Sequence, residues 1–212
     1  MKDLAIYCSG NLGRELYCLI KRIDTASYWN FLGYFDDTKD KGTVCEYGII
    51  LGGMESLNQW PTPLDVVVAI GVPDGMLHIV SKITNHLISF PNIISPDVYL
   101  IDENTLSMGK GNIISPRCLI SCDVKIGDFN VINWYTSIGH DVVIGNYNSI
   151  MPAVRISGNV NIGNCNFFGA SSVILQKLNV GSNMVLGAGG VLLDNAENGK
   201  KYVGVPAKPL NK

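Results

Sequence analysis

Residues 124–145 read VKIGDFNVINWYTSIGHDVVIG. Stepping through this stretch by six gives Ile126, Ile132, Ile138 and Ile144. The series continues below as Met108, Ile114 and Ile120. It continues above as Ile150, Ile156, Ile162, Phe168, Ile174, Val180, Leu186 and Leu192. Every member is large and apolar. A helix cannot use this spacing, because six residues turn it by about 600° and smear the stripe around the cylinder. A flat strand would alternate with a period of two. A triangular coil fits, with three short sides of six residues that each point one large side chain inward. The position two before each of these is small or branched, as in Asn112, Cys118, Val124, Asn130, Thr136, Val142 and Asn148. Those residues suit a tight second inward position. Gly109, Gly127, Gly145, Gly163 and Gly181 lie eighteen apart. One coil therefore takes eighteen residues, and one corner is lined with glycine, expected there for unusual corner dihedrals. About five coils run from 108 to 192 as a parallel β-helix.

The rest of the chain is bounded by composition. Of the 212 residues, 47% are hydrophobic and 16% charged, which suits a well-buried core and argues against disorder. The net charge of −2 carries no basic patch for a nucleic acid. Apolar runs such as Val66–Ile70 are of strand length, too short to span a membrane. The N-terminus moves straight into a strand-like run, so no signal peptide is expected and a cytoplasmic, bacterial protein is. None of the six cysteines forms a CxxC pair, and Cys118 and Cys122 lack the spacing of a zinc site, so no metal is expected.

Residues 1–92 read as a small Rossmann-like βαβ domain, ahead of the β-helix domain and its tail at 93–212. Lys2–Cys8, Phe31–Phe35 and Asp65–Ile70 read as strands. Arg14–Ile23 and Met76–Leu87 read as helices, and Ile93-Ile94 as a short strand. Such a unit binds ligands at the carboxyl ends of its strands. Ser9, Gly10, Asn11 and Leu12 form a turn there, Asp36 and Asp37 follow the second strand, and Ile70 and Gly71 end the third. Glycine in such a turn lets backbone approach a phosphate.

His78 and His86 fall in the predicted second helix and read as ordinary histidines. His140 sits on the β-helix wall just past a corner, where the pattern points it outward. Asp141 follows it. Imidazole titrates near neutrality and can take a proton from an incoming nucleophile. A neighbouring carboxylate can fix its tautomer. Eighteen residues on, Gly158 falls one coil above His140, opening space beside the ring and offering an N–H to a developing oxyanion.

The string HDVVIGNYNSI from His140, SGNVNIG from Ser157, FFGASSVI and the terminal YVGVPAKPL resemble the family of sialic-acid O-acetyltransferases and bacillosamine-pathway N-acetyltransferases. The resemblance implies a left-handed β-helix acyltransferase forming a homotrimer, with acetyl-CoA in the groove between neighbouring β-helices. It implies a nucleotide-linked amino sugar held by the N-terminal domain, for surface-glycan synthesis. His140 matches the general base, Asp141 its acidic neighbour and Gly158 the backbone donor to the thioester. Gly169, Ala170, Gly187 and Ala188 match the lining of the pantetheine arm, and Lys208 the approach to the CoA phosphates. Ser149 falls where some members have a second histidine, and is expected to donate to the thioester carbonyl. The family's Gly-His-Gly turn is Asn11-Leu12-Gly13 here. The implied reaction is direct N-acetylation of an amino group, with C4 the expected position. O-acetylation of a hydroxyl and a catalytically silent, trimeric sugar-nucleotide-binding scaffold are the alternatives.

Overall fold

A computed structural model describes residues 1–24 and 28–210. The chain divides into two units, residues 1–71 with 75–93 and residues 72–74 with 94–212.

The first unit is built on a six-stranded sheet. Its elements are β1 (Lys2–Tyr7), α1 (Asn11–Ile23), β2 (Trp29–Phe35), β3 (Val44–Cys45), β4 (Gly48–Gly52), α2 (Met54–Asn58), β5 (Leu64–Val68), α3 (Pro73–Lys82) and β6 (Ile88–Ser89). The sheet order is β3-β4-β2-β1-β5-β6, parallel except where β3 turns back on β4. β5 is buried along its whole length, as the run LDVVV requires of a central strand covered on both faces. The strands found match those read from the sequence to within two residues. The small β3–β4 hairpin, α2 and β6 were not foreseen. Two boundaries move. α1 begins at Asn11 rather than Arg14, so Asn11-Leu12-Gly13 form its first turn instead of a loop. α3 begins at Pro73, which suits a helix start, and ends at Lys82. His86 therefore lies in an exposed turn, and His78 is exposed on α3.

The second unit is the expected left-handed parallel β-helix, a triangular prism of two-residue strands. The first face stacks Ile93–Ile94, Ile113–Ile114, Val131–Ile132, Ser149–Ile150, Phe167–Phe168 and Val185–Leu186. The second stacks Tyr99–Leu100, Leu119–Ile120, Ser137–Ile138, Arg155–Ile156, Val173–Ile174 and Val191–Leu192. The third stacks Ser107–Met108, Lys125–Ile126, Val143–Ile144, Asn161–Ile162 and Asn179–Val180. The six-step residues from Ile114 to Leu192 are all buried. Each fully buried isoleucine contributes about 1.5–3 kcal/mol before entropy is charged.

The register extends past both ends of the sequence-derived repeat by changing its step. Below, Leu119 pairs with Tyr99, a step of twenty, and the added pair of residues sits where Glu103–Thr105 makes a single 3-10 turn. Above, Val185 pairs with Lys201 and Leu186 with Tyr202, a step of sixteen. Tyr202 then covers the top of the core, and Lys201–Gly204 turns back on Ala207–Pro209.

The glycine corner has a different cause from the one expected. Those glycines have ordinary dihedrals. A Cβ on Gly127 or Gly145 would collide with the side-chain oxygen of Asn146 or Asn164 in the coil above. Those amide oxygens accept the backbone N–H of Asp128 and Asn146, each at 2.7 Å. The left-handed residues lie elsewhere, at every sixth position from Arg117 through Asp141 and Asn159 to Asn183. Each turns one corner, at about 1–2 kcal/mol for a residue with a side chain.

Inside the first face runs a column of buried amides, Asn112, Asn130, Asn148 and Asn166. The side-chain oxygen of each accepts the backbone N–H of the residue eighteen on, at 2.8–2.9 Å, the last being Met184. Polar groups enter this apolar core because each finds a partner one coil away.

Candidate active site

Two groups of expected site residues are assembled, one in each unit. In the prism, His140 and Asp141 occupy the corner between the second and third faces. Asp141 takes the left-handed conformation that turns the chain there. This directs its carboxylate back to the preceding ring, and His140 Nδ1 stands 2.7 Å from Asp141 Oδ2. Both side chains are more than half exposed. A carboxylate at that distance requires the hydrogen on Nδ1, so in the neutral ring Nε2 is the nitrogen that can accept a proton.

Gly158 lies against the other side of the ring. A Cβ there would stand 2.6 Å from His140 Nε2 and 2.7 Å from Cε1. Absence of a side chain is therefore what lets the imidazole take this position. The Gly158 carbonyl accepts the Lys177 N–H at 3.1 Å, while the Gly158 N–H has no partner among the described residues. A free nitrogen base and a free backbone donor thus share one edge of the prism, which can receive a proton and stabilise an oxyanion. Asn159, not anticipated from the sequence, also reaches the ring, with its side-chain nitrogen 3.5 Å from Nδ1. The eighteen-residue step from Asp141 would have found it.

Gly169, Ala170, Gly187 and Ala188 form the upper part of the neighbouring edge, between the first and second faces. They stack closely: a Cβ on Gly169 would overlap the backbone of Ala188. Ala170 and Ala188 are exposed. Lys208 is exposed on the terminal hairpin, 3.9 Å from Asp194. Ser149 is the exception. It lies on the first face, across the prism from the His140 corner, and only 2% of it is exposed. The expectation that its hydroxyl meets the thioester is dropped for that reason.

In the first unit, β1, β2 and β5 are adjacent, so Ser9–Leu12, Asp36-Asp37 and Ile70-Gly71 do meet at one sheet end. Gly10 is the N-cap of α1, which has neither a side-chain cap nor an acidic residue in its first turn. Its first N–H groups are open to an anion. Gly13 can only be glycine, because a Cβ would strike the Cys8 carbonyl. Gly71 places its α-carbon beside Leu12.

The two aspartates are committed to the fold. Asp36 is buried and accepts four hydrogen bonds. Ser9 N and Oγ donate to Oδ2 at 2.9 and 2.6 Å, and Thr38 N and Oγ1 donate to Oδ1 at 3.0 and 2.6 Å. Burial alone would raise its pKa, but the hydrogen bonds from Ser9 and Thr38 outweigh it and bring the carboxyl down to about 2. Asp37 Oδ1 caps α2 through Met54 N at 2.7 Å, and Oδ2 accepts the Tyr7 hydroxyl at 2.5 Å. Burial and that bond push the Tyr7 phenol well above its ordinary pKa. Asp36 therefore shapes the Ser9 turn from beneath and has no free oxygen for a ligand. Asp37 is exposed beside it.

Among the described residues, no group of three or more His, Cys, Asp or Glu could hold a metal. No described helix is long and apolar enough to cross a membrane.

Comparison with known proteins bears out the resemblance read from the sequence. Residues 3–83 match the model of the PglD N-terminal domain. No curated protein matches the chain by sequence. Among solved structures, the acetyltransferase domain of PglB from Neisseria gonorrhoeae FA1090 in complex with acetyl coenzyme A is 25% identical. That likeness covers 99% of both chains with a TM-score of 0.86. WeeI from Acinetobacter baumannii AYE is 25% identical, covering 99% of this chain and 100% of its own, with a TM-score of 0.88. PerB from Caulobacter crescentus, in complex with CoA and GDP-perosamine, is 22% identical and shares the fold, with a TM-score of 0.86 over 100% of this chain and 98% of its own. The chain has the fold of a hexapeptide-repeat sugar acetyltransferase along its whole length.

Proposed function

We propose that this protein is an acetyl-CoA-dependent N-acetyltransferase acting on the amino group, at C4, of a nucleotide-linked deoxy sugar. One observation carries the reading: the His140–Asp141 bond leaves Nε2 basic beside the unpaired Gly158 N–H. The likeness to an acetyl-CoA-bound domain over both full lengths supports acetyl-CoA as the cosubstrate. The matched N-terminal domain supports a sugar nucleotide as the acceptor.

In this mechanism the acceptor amine attacks the thioester carbonyl. His140 Nε2 takes the amine proton as the carbon–nitrogen bond forms, and the imidazolium is steadied by Asp141. Gly158 N–H donates to the oxyanion of the tetrahedral intermediate. When that collapses, the carbon–sulfur bond breaks and the departing thiolate takes a proton from the imidazolium. The products are the acetamido sugar and coenzyme A, and His140 returns to its starting state. Gly10, Asn11 and Leu12, with Ser9 beneath, offer backbone N–H groups to a phosphate. Asp37, Ile70 and Gly71 border the rest of that pocket, and Asp36 positions Ser9.

The residues assigned to coenzyme A occupy a different prism edge from the base. A groove between two prisms, one giving the His140 edge and the other the Ala170 edge, brings both sets to one pantetheine arm. Lys208 then serves the phosphates. This arrangement calls for a homotrimer, and the expected sedimentation mass is about three times the 23.0 kDa of one chain.

The test is coenzyme A release from acetyl-CoA with amino-sugar and hydroxyl-sugar nucleotides carrying UDP, dTDP or GDP. Turnover with the amino sugars alone supports the reading. Turnover with the hydroxyl acceptors alone makes the protein an O-acetyltransferase, and the absence of coenzyme A binding leaves only the scaffold.

A further inference from the structure

We propose that Asn159 is a positioning residue for His140, holding the imidazole in the Nδ1-protonated form that leaves Nε2 as the base. The inference rests on the reading of His140 as that base. The His140 edge stacks Asp123, Asp141, Asn159 and Lys177 at eighteen-residue steps, all four in the left-handed conformation. Asn159 is thus the residue directly above Asp141. Its place is fixed by its own backbone, whose N–H donates to the His140 carbonyl at 2.8 Å. Its side chain is exposed and takes no part in the prism core.

The side-chain amide approaches Nδ1 at 3.5 Å. Asp141 Oδ2 already takes the Nδ1 hydrogen at 2.7 Å. The carboxylate is nearer and charged, so it decides where that hydrogen sits. An amide N–H pointed at the same atom would compete with it, whereas the amide oxygen adds a second acceptor. A half turn of the terminal torsion exchanges the two. In the catalytic form Asn159 makes that half turn, bringing to the ring its oxygen in place of the nitrogen that faces Nδ1 in this structure. Two acceptors then disfavour the Nε2-protonated tautomer, which cannot act as the base. They also stabilise the imidazolium formed during transfer.

The other groups around the ring do not replace it. Cys122 and Asp123 lie one coil below, and Lys177 lies one coil above Asn159. Among the described residues, Asp141 and Asn159 are the two whose side chains reach Nδ1.

The experiment is a ¹H–¹⁵N titration of the histidine side chains in the full chain, which has only three. Asn159→Asp keeps a residue suited to the left-handed backbone and adds a charge, while Asn159→Gly keeps the backbone and removes the amide. Asn159→Asp is expected to raise the His140 pKa by about half a unit, the effect of one charge at about 5 Å in a water-like medium. Asn159→Gly is expected to lower it by a few tenths and to increase the Nε2-protonated tautomer. The acid limb of the rate profile should move the same way in each variant. A purely structural asparagine would lower the melting temperature and leave the titration where it was. Unchanged His140 titration and tautomer in both folded variants would overturn the proposal. Because the titration reads protonation and not turnover, it remains decisive even if no acetyl transfer is found.

Discussion

His140 Nε2 rests against the α-carbon of Gly158, so closely that a methyl group there would stand 2.6 Å from it. The contact joins two residues eighteen apart, the proposed base and the proposed donor. Gly158→Ala keeps the N–H and has no left-handed dihedral to strain, but it pushes the ring aside. Misplacement of a reacting group by about 1 Å can cost about 10²-fold. Steady-state kinetics of Gly158→Ala should show a loss of that order in kcat, with the melting temperature nearly unchanged. Activity within twofold of the parent would mean that the ring does not need this site.

Asp36 supplies a second expectation, in the N-terminal unit. Its pKa is held near 2, below its ordinary value of 3.8. A depressed carboxyl stabilises the fold above its unfolded pKa, and that contribution is lost as pH falls through the folded one. Stability should therefore drop between about pH 4 and pH 2. Asp36→Asn should flatten that part of the pH–stability curve and weaken sugar-nucleotide binding by loosening the Ser9 turn. Denaturant melts across that range, with calorimetric titration of the nucleotide, check both effects. An unchanged acid limb would show that Asp36 is not the group responsible.

The amide column makes a prediction about the prism. Asn148 accepts from Asn166 N and donates to Asn130. Asn148→Ala removes the acceptor from a buried N–H, at about 1–3 kcal/mol, and leaves a cavity besides. Chemical denaturation should show a loss of at least about 2 kcal/mol. A cost below about 0.5 kcal/mol would mean that the column contributes little to stability.

Much of this architecture was legible because the prism writes its geometry into a period. Ile126, Ile132 and Ile138 declare a six-residue side, and the same step places Gly158 over His140. The period is silent where the coil changes length. The two residues added below Met108 and the two missing before Tyr202 carry no repeat of their own. The glycine corner was located correctly and explained wrongly, because the clash that requires Gly127 is with Asn146, a side chain one coil away. In the N-terminal unit, two-residue strands such as Val44–Cys45 are too short to show alternation. Asp36 and Asp37 could be placed at the sheet end from the sequence, which shows where acids fall and not which donors surround them. Ser9, Thr38, Tyr7 and Met54 come from three stretches of the chain, at 7–9, 38 and 54. Ser149 failed for a similar reason, since the register gives its face but not what buries it.

The central claim, that His140 is the base for acetyl transfer, is tested most directly by His140→Ala. Coenzyme A release should be measured with acetyl-CoA and the best amino-sugar nucleotide, alongside acetyl-CoA binding by calorimetry. The account predicts a fall in kcat of roughly 10²–10⁴-fold, with acetyl-CoA affinity nearly intact. Undiminished turnover in that variant would contradict it.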